Sequence, residues 1–343
     1  MKHFKKKRKF LICLGGGISQ LPLIISAKNK NYQLIVIDKN KKAPGKKFAE
    51  IFLNISTENT NKIIKKLNEL KIYKKMIKGV INRSSGNTIL TMSKIQKKFQ
   101  LNGSIPRMVK KTLDKNDFIV HCVKNNILVP KLYKKKGKNI PFKMNSFSVV
   151  VKPSSSRIGK KGISIVNNKK YLKKALNFAK KNSENKSYII QEKIDGKDLV
   201  LLGAVKNKKF IELTTIDEIN IIKKNRISRY SYQNPTKNLN LNRKKKILNI
   251  AKKIIKIFKL NNCPLNLSFR INNKDAIYLI EINLEISGEL IHEKLIRFKN
   301  KKTNSFNWYL DVFFLNKKNI NQNKFLKKKI KVNDKILRIG NVK

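Results

Sequence analysis

Apolar and polar positions follow two alternating periods along this chain. Phe10 to Leu14 is an unbroken apolar run and predicts a buried strand. Gly15-Gly16-Gly17 predicts a tight turn, Ser19 to Lys28 a helix, and Tyr32 to Ile37 a second strand ending in Asp38. A short strand near Ile51 to Ile55, a helix from Asn59 to Leu70, a strand from Gly79 to Asn82 and a helix from Thr88 to Phe99 follow. Strand and helix in alternation imply a parallel sheet, closing near Gly103, and Pro106 marks the next boundary.

Beyond it the pattern changes. Asp114 caps a predicted helix that runs into the extended Val129-Pro130 stretch. An apolar strand then leads to Lys152, Tyr171 to Lys181 is helical, and Tyr188 to Ile194 and Leu199 to Val205 read as strands flanking Asp195-Gly196-Lys197-Asp198. Phe210 to Asp217 predicts another strand, and Ile219 to Lys237 a polar, irregular connection carrying Arg226 and Arg229. Ile247, Ile250, Ile254 and Phe258 stand at helical spacing within Arg243 to Leu260, with lysines opposite, as in a helix packed on a sheet. Leu265 to Arg270 pairs with the stretch from Tyr278 across a hairpin turn at Asn272 to Asp275. The last forty residues, with Trp308, give no clear period.

At 343 residues the chain can bury a sizeable core in two or three domains. No apolar run reaches the roughly 20 residues of a membrane helix. The basic start followed by an apolar stretch has the layout of a secretory signal, but a glycine triplet interrupts it and the segment completes a β-α-β unit; the expected compartment is the cytoplasm. Cys13, Cys122 and Cys263 are widely spaced and lack a CxxC, which suggests neither a disulfide framework nor a zinc site. A net charge of +61 ordinarily points to nucleic acid. Here lysines are scattered through every segment among Asn and Ile, without interleaved aromatics for base stacking, so no specific nucleic-acid partner is expected.

Three stretches carry candidate chemistry. In Tyr278 to Gly288, Glu281 and Asn283 lie one residue apart on a strand and therefore on one face. Such an oxygen pair can hold Mg²⁺ against nucleotide phosphates. Lys152 precedes a Ser/Gly/Lys loop from Ser154 to Gly162, with Ser154, Ser155, Ser156, Gly159 and Gly162 as phosphate-covering groups. Gln191, Glu192, Lys193 and Ile194 offer backbone groups to adenine, and Asp198 a carboxylate to ribose. Arg83, Ser84 and Ser85 follow the strand ending at Asn82, where open α/β sheets present ligands, and are candidates for an anionic substrate group. The glycine turn matches GxGxxG poorly, with Gln20 at the last glycine position, and reads as structural.

In this order the parts resemble the ATP-grasp superfamily from about Phe10 to Glu293. DKNDFIVHCVKNNILVP is similar to its first-lysine helix, VVVKPSSSRIGKKGISIV to its second-lysine strand and loop, YIIQEKIDGKDL to its adenine hinge, and NLSFR with YLIEINLEISG to its metal-binding strands. The resemblance implies an α/β chain: a Rossmann-like pre-ATP-grasp domain over 1–104, an ATP-grasp fold of two α+β subdomains over 105–300 (115–200 nucleotide-binding, 201–300 metal and substrate), and a basic extension over 301–343. It implies ATP and Mg²⁺ as cofactors, Lys115 as a phosphate lysine, Lys152 and Arg226 as catalytic cations, and Glu281, Asn283 and Ser268 as metal ligands. The activity implied is carboxylate-amine ligation through an acyl phosphate, with a small-molecule carboxylate and amine as partners, no membrane, and a homodimer as the expected assembly. Two departures stand out: Ser268 replaces a stronger ligand, and Glu285 stands where many members have a phosphate-facing arginine. Glu285 and Glu289, among only 20 acids in the chain, are read as binding a cationic amine or a second Mg²⁺. An NAD-dependent oxidoreductase built on the first domain and a polyanion binder are the competing readings.

Overall fold

The computed structural model describes residues 9–135, 138–139, 148–156, 159–223, 225–288, 290–299, 303–315 and 328–331. The chain opens with a parallel sheet of β1 (Phe10–Leu14), β2 (Gln33–Ile37), β3 (Ile51–Leu53) and β4 (Ile77–Asn82), in the order β3-β2-β1-β4. Its helices are α1 (Leu21–Asn29), α2 (Thr60–Glu69) and α3 (Asn87–Lys98). Continuous apolar strands signify a sheet covered on both faces. Phe10, Ile12 and Leu14 pack into one core with Ile63 of α2 and Met92 of α3, whereas Leu11 and Cys13 pack on the other side with Leu23 and Ile24 of α1. The expected parallel domain is therefore present.

Two short helices, α4 (Pro106–Leu113) and α5 (Lys115–Val123), lead out of it. Asp114 separates them and caps α5, its carboxylate accepting from the amides of Asn116 and Asp117 at 2.9 and 3.2 Å. The rest of the chain builds one large sheet. Its smaller lobe holds β5 (Leu132–Lys135), β6 (Lys138–Asn139), β7 (Val149–Pro153), β8 (Ser164–Val166) and β9 (Tyr188–Glu192), with α6 (Leu172–Lys181) packed on Val149, Val151 and Ile190 through Ala175 and Ala179. Its larger lobe holds β10 (Lys197–Lys206), β11 (Lys209–Lys223), β12 (Arg226–Asn234), β13 (Cys263–Ile271) and β14 (Ile277–Asn283), with α7 (Leu241–Ile257). The order of neighbours is β14-β13-β10-β11-β12-β8-β7-β9-β5-β6.

Two stretches differ from the sequence expectation. Ile219 to Lys237 is not an irregular connection: β11 runs on to Lys223 and β12 returns antiparallel from Arg226, turning through Asn225 at φ +62°. Both strands carry polar residues on both faces near the turn, and the register shifts between Ile219 and Asn220, so period-2 hydrophobicity is missing although the strands pair. The tail also contributes to the core. Helix α8 (Ser305–Phe314) packs against α1 and buries Phe306, Trp308, Tyr309 and Leu310 with Leu23, Ile24 and Val200, and β15 (Lys328–Lys331) pairs with β12. Cys13, Cys122 and Cys263 are buried and free.

Candidate active site

A cleft of about 720 Å³ runs between the two lobes of the large sheet and on to the C-terminal ends of the first domain's strands. Its floor comes from β13 and β14, whose register pairs Ser268 with Glu281 and Asn266 with Asn283. Along β14 and the residues after it burial alternates, leaving Glu281, Asn283 and Glu285 partly exposed at the cleft while Ile282, Leu284 and Ile286 are buried.

Cations converge on Glu281. Lys115, the first residue of α5, places its Nζ 3.4 Å from Glu281 Oε1. Lys152 on β7 and Lys160 in the following loop line the same space. Burial opposes charge on Glu281, yet Lys115, Lys160, Lys152 and Arg229 together hold its carboxyl below the ordinary range. Lys152 shows the converse: burial, with Lys160, Lys115 and Arg270 nearby, lowers its ammonium to about 7 despite the attraction of Glu281. This is a pocket with more positive charge than it can neutralise.

The surrounding acids are committed. Glu218 accepts Lys160 at 2.6 Å and lies 3.5 Å from Arg229 Nε, and these cations outweigh burial and hold it down at about 2. Asp198 is gripped by Arg270 through two nitrogens, at 2.7 and 2.6 Å, and accepts from Asn220 at 2.6 Å. Its carboxylate is thus held in place at the cleft wall. Arg270 also donates to the Ile194 carbonyl at 2.9 Å, tying the strand that follows the hinge to the floor. Gln191 is 2% exposed, lines the cleft, and its Oε1 has no partner.

The other proposed phosphate-loop residues divide. Ser155, Ser156 and Gly159 line the cleft, the Ser155 hydroxyl lying 3.1 Å from Glu184, and a Cβ on Gly159 would sit 2.6 Å from an Arg229 nitrogen. Ser154 is buried and donates to Asp114 at 2.7 Å, joining β7 to the α5 cap. Gly162, at φ +83°, makes a turn against Pro153 and Asn182 and does not line the cleft. Glu192 lines it and accepts from the Lys131 amide at 3.1 Å, whereas Lys193 turns away to Asp195 at 2.5 Å. Arg226 lies outside the cleft, with its guanidinium over the Phe178 ring at 4.5 Å; the arginine inside is Arg229, three residues on. Strand alternation separates the two, and an irregular connection could not reveal it.

At the first-domain end, Arg83 is not free for a substrate anion. Its side chain is 2% exposed and donates to Glu293 at 2.5 Å, to the Ser19 carbonyl at 2.6 Å and to the Ser287 carbonyl at 3.2 Å, with its guanidinium over Phe306. It ties the first domain to the segment after β14. Ser84 accepts from Gln20 at 3.1 Å, and both it and Ser85 line the cleft. Glu289 lies outside the described residues. The glycine turn is packed from within: Gly45 donates to the Gly16 carbonyl at 2.7 Å, Asp38 accepts the Gly16 amide at 2.7 Å, and a Cβ on Gly16 would meet Val36 at 2.9 Å. These contacts account for the glycines without a dinucleotide. Glu218 also belongs to the site, as do Lys160, Arg229, Asn266 and Arg270, which stand in stretches the sequence marks but with no role of their own there; inward positions on β11 to β13, and for Lys160 the loop after β7, bring them to the cleft.

Residues 145–293 match the family model described as the ATP-grasp domain. The chain carries an ATP-grasp domain. Phosphoribosylglycinamide synthetase from Anaerococcus prevotii is similar at 17% identity over 94% of this chain and 79% of that one, with a TM-score of 0.69. Biotin carboxylase from Campylobacter jejuni is similar at 14% identity over 92% and 73%, with a TM-score of 0.70. The L-amino acid ligase from Bacillus licheniformis gives 15% identity, 90% and 75% coverage, and a TM-score of 0.70. At these identities the likeness is one of fold, and it extends over the parallel domain as well as the ATP-grasp domain. Among curated proteins no sequence match is significant. No described helix is long and apolar enough to cross a membrane.

Proposed function

We propose that this protein is an ATP- and Mg²⁺-dependent ligase that activates a small-molecule carboxylate for attack by an amine. The observation that carries the reading is the convergence of Lys115, Lys152, Lys160 and Arg229 around Glu281 at the floor of an ATP-grasp domain. ATP supplies the phosphoryl group that makes the carboxylate an acyl phosphate, leaving ADP; the amine then attacks the acyl carbon, forming the C–N bond as inorganic phosphate leaves. Phosphoryl transfer asks the protein chiefly for positioning and charge neutralisation, and the excess of buried positive charge around Glu281 fits a polyphosphate.

The donor set also fits a nucleotide-borne metal. Mg²⁺ takes one or two carboxylates and completes its shell with phosphate oxygens and water. Glu281 and Asn283 share a face, with Ser268 opposite as a weaker oxygen. Among the described residues no three His, Cys, Asp or Glu side chains form a cage of their own, so the phosphates would complete the site. The unpartnered Oε1 of Gln191 fits a base amino group, and Asp198, oriented by Arg270, fits ribose hydroxyls. Ser155, Ser156 and Gly159 would cover the phosphates. Fold relatives support the ligands: the biotin carboxylase domain of Hydrogenobacter thermophilus 2-oxoglutarate carboxylase was solved as a dimer with MgADP, ADP and bicarbonate. A homodimer belongs to the same reading here, as does a cytoplasmic site of action.

Thermal shift separates this from the competing readings, because a ligand of the native state raises the melting temperature by mass action. Mg-ATP is expected to stabilise, NAD to have no effect, and polyanion effects to vanish in salt. Phosphate release from ATP across amino acids and amino sugars, each with a set of carboxylates, then tests the chemistry. Stabilisation by NAD and not by Mg-ATP would overturn the proposal.

A further inference from the structure

Beyond Glu281 the cleft changes character. Glu285 lines it, and although the chain has 81 lysines and arginines, its carboxylate has no cationic partner among the described residues. Glu218, Asp198, Glu281 and Glu293 each hold one. Beside Glu285 lies Asn266, 2% exposed, whose Nδ2 donates to the Glu285 carbonyl at 2.7 Å and lies 2.9 Å from Ser287 Oγ. A carbonyl oxygen only accepts, so this bond fixes which way the amide is turned. Asn266 Oδ1 therefore faces away from these partners, and it has none of its own. An unpartnered buried oxygen is costly unless a donor reaches it.

We propose that the amine substrate enters as an unphosphorylated ammonium ion and that the Glu285 carboxylate and Asn266 Oδ1 receive it. The inference rests on the ligase reading above and names the class of its second substrate. An ammonium group brings up to three donors and one positive charge, matching an acid without a counter-ion and an amide oxygen without a donor. A phosphorylated acceptor finds no buried cation with free terminal donors among the described residues at this end. Of the first-domain cations lining it, Arg83 has both terminal nitrogens committed, and Lys39 is exposed. Ser84, Ser85, Asn87 and Thr88 offer neutral hydrogen-bonding groups, suited to a hydroxylated or amide-bearing body.

The test measures melting temperature for the full chain saturated with the Mg²⁺ complex of a non-hydrolysable ATP analogue. The probes are L-serine and phosphoserine, glucosamine and its 6-phosphate, L-alanine and acetylated alanine, and a short diamine. Wild type is expected to respond to the unphosphorylated cationic members, at least tenfold more strongly than to the phosphorylated or acetylated ones. Glu285→Gln is expected to weaken that response at least tenfold and Glu285→Arg to abolish it, both retaining the shift from the nucleotide analogue. A preference for phosphorylated probes, an unchanged response in Glu285→Gln, or no response to any amine would overturn the proposal. If Glu285→Gln does not fold, the wild-type preference within the pairs still decides. Failure of the nucleotide analogue to stabilise wild type would instead sink the ligase reading beneath it.

Discussion

The two ends of the cleft solve opposite electrostatic problems. At the proposed nucleotide end, Lys115, Lys152, Lys160 and Arg229 gather around Glu281 and Glu218, and burial first, then the neighbouring cations, lowers the Lys152 ammonium to about 7. At the other end the Glu285 carboxyl, with no cationic partner among the described residues, is raised by burial and by Glu281 to about 8. Burial is the first cause of each shift, and under the proposed function a ligand of opposite sign would reach each group. The pocket is strained towards being filled, by polyanion at one end and by cation at the other, within a chain whose overall charge would predict only the first.

The strongest way to break this contrast is to remove charge from the cationic end. Lys152→Met is expected to lower ATP-dependent phosphate release by about a hundredfold or more, as loss of preorganised stabilisation does, while leaving the fold intact. Circular dichroism and a coupled phosphate assay check it, and normal turnover would mean that the phosphates sit elsewhere. Arg83→Ala attacks the seam between the ends. It leaves Glu293 without its cation and should cost about 3–5 kcal/mol of stability, the range for removing one partner of a buried pair, readable in urea unfolding. A loss under about 1 kcal/mol, the range of surface pairs, would make Arg83 a peripheral contact. Asn283→Ala is expected to act through the metal, lowering activity about tenfold and recovering partly at raised Mg²⁺. A defect indifferent to Mg²⁺ argues against ligation.

Two smaller effects sharpen the sign of each end. Because burial lowers the Lys152 ammonium to about 7 and phosphates would favour its charged form, Mg-ATP binding at pH 8 should take up part of a proton. Calorimetry in buffers of different ionisation enthalpy measures this, and Lys152→Met should remove it. The Glu285 carboxyl is raised, so the folded state holds more protons than the unfolded state between the ordinary carboxyl range and about 8, and its contribution to stability is lost as pH rises through that window. Glu285→Gln should therefore stabilise the protein more at pH 8 than at pH 5, by about 2–4 °C if the difference is near 1 kcal/mol. An equal change at both values would place Glu285 in ordinary solvent.

What could be read from the sequence follows the physics of burial. β1 is apolar throughout, and β2 from Leu34 on, because both faces are covered, and Glu281 with Asn283 stands out as polar positions interrupting an apolar strand. Asp114 announces its helix by capping it. The hairpin of β11 and β12 stayed hidden, since its outer half carries polar residues on both faces, and with it went the distinction between Arg226 and Arg229. Arg83 looked like a ligand-binding arginine, and no local pattern could disclose Glu293, 210 residues away, as its partner. Helix α8 was lost among lysine runs although it is almost wholly buried.

That same bridge bears on how such a protein can change over evolutionary time. Arg83 reaches from the first domain to Ser287 and Glu293, and Asn266 fastens Ser287 to the sheet beneath. A recombinant chain that took its first domain from one ancestor and its sheet from another would inherit half of this fastening, with a buried guanidinium or a partly buried carboxylate stranded at the joint. Lineages that acquired a new acceptor would be expected to exchange the loop after Asn82 and the segment from Glu285 to Glu293 together, or to pass through poorly folded intermediates.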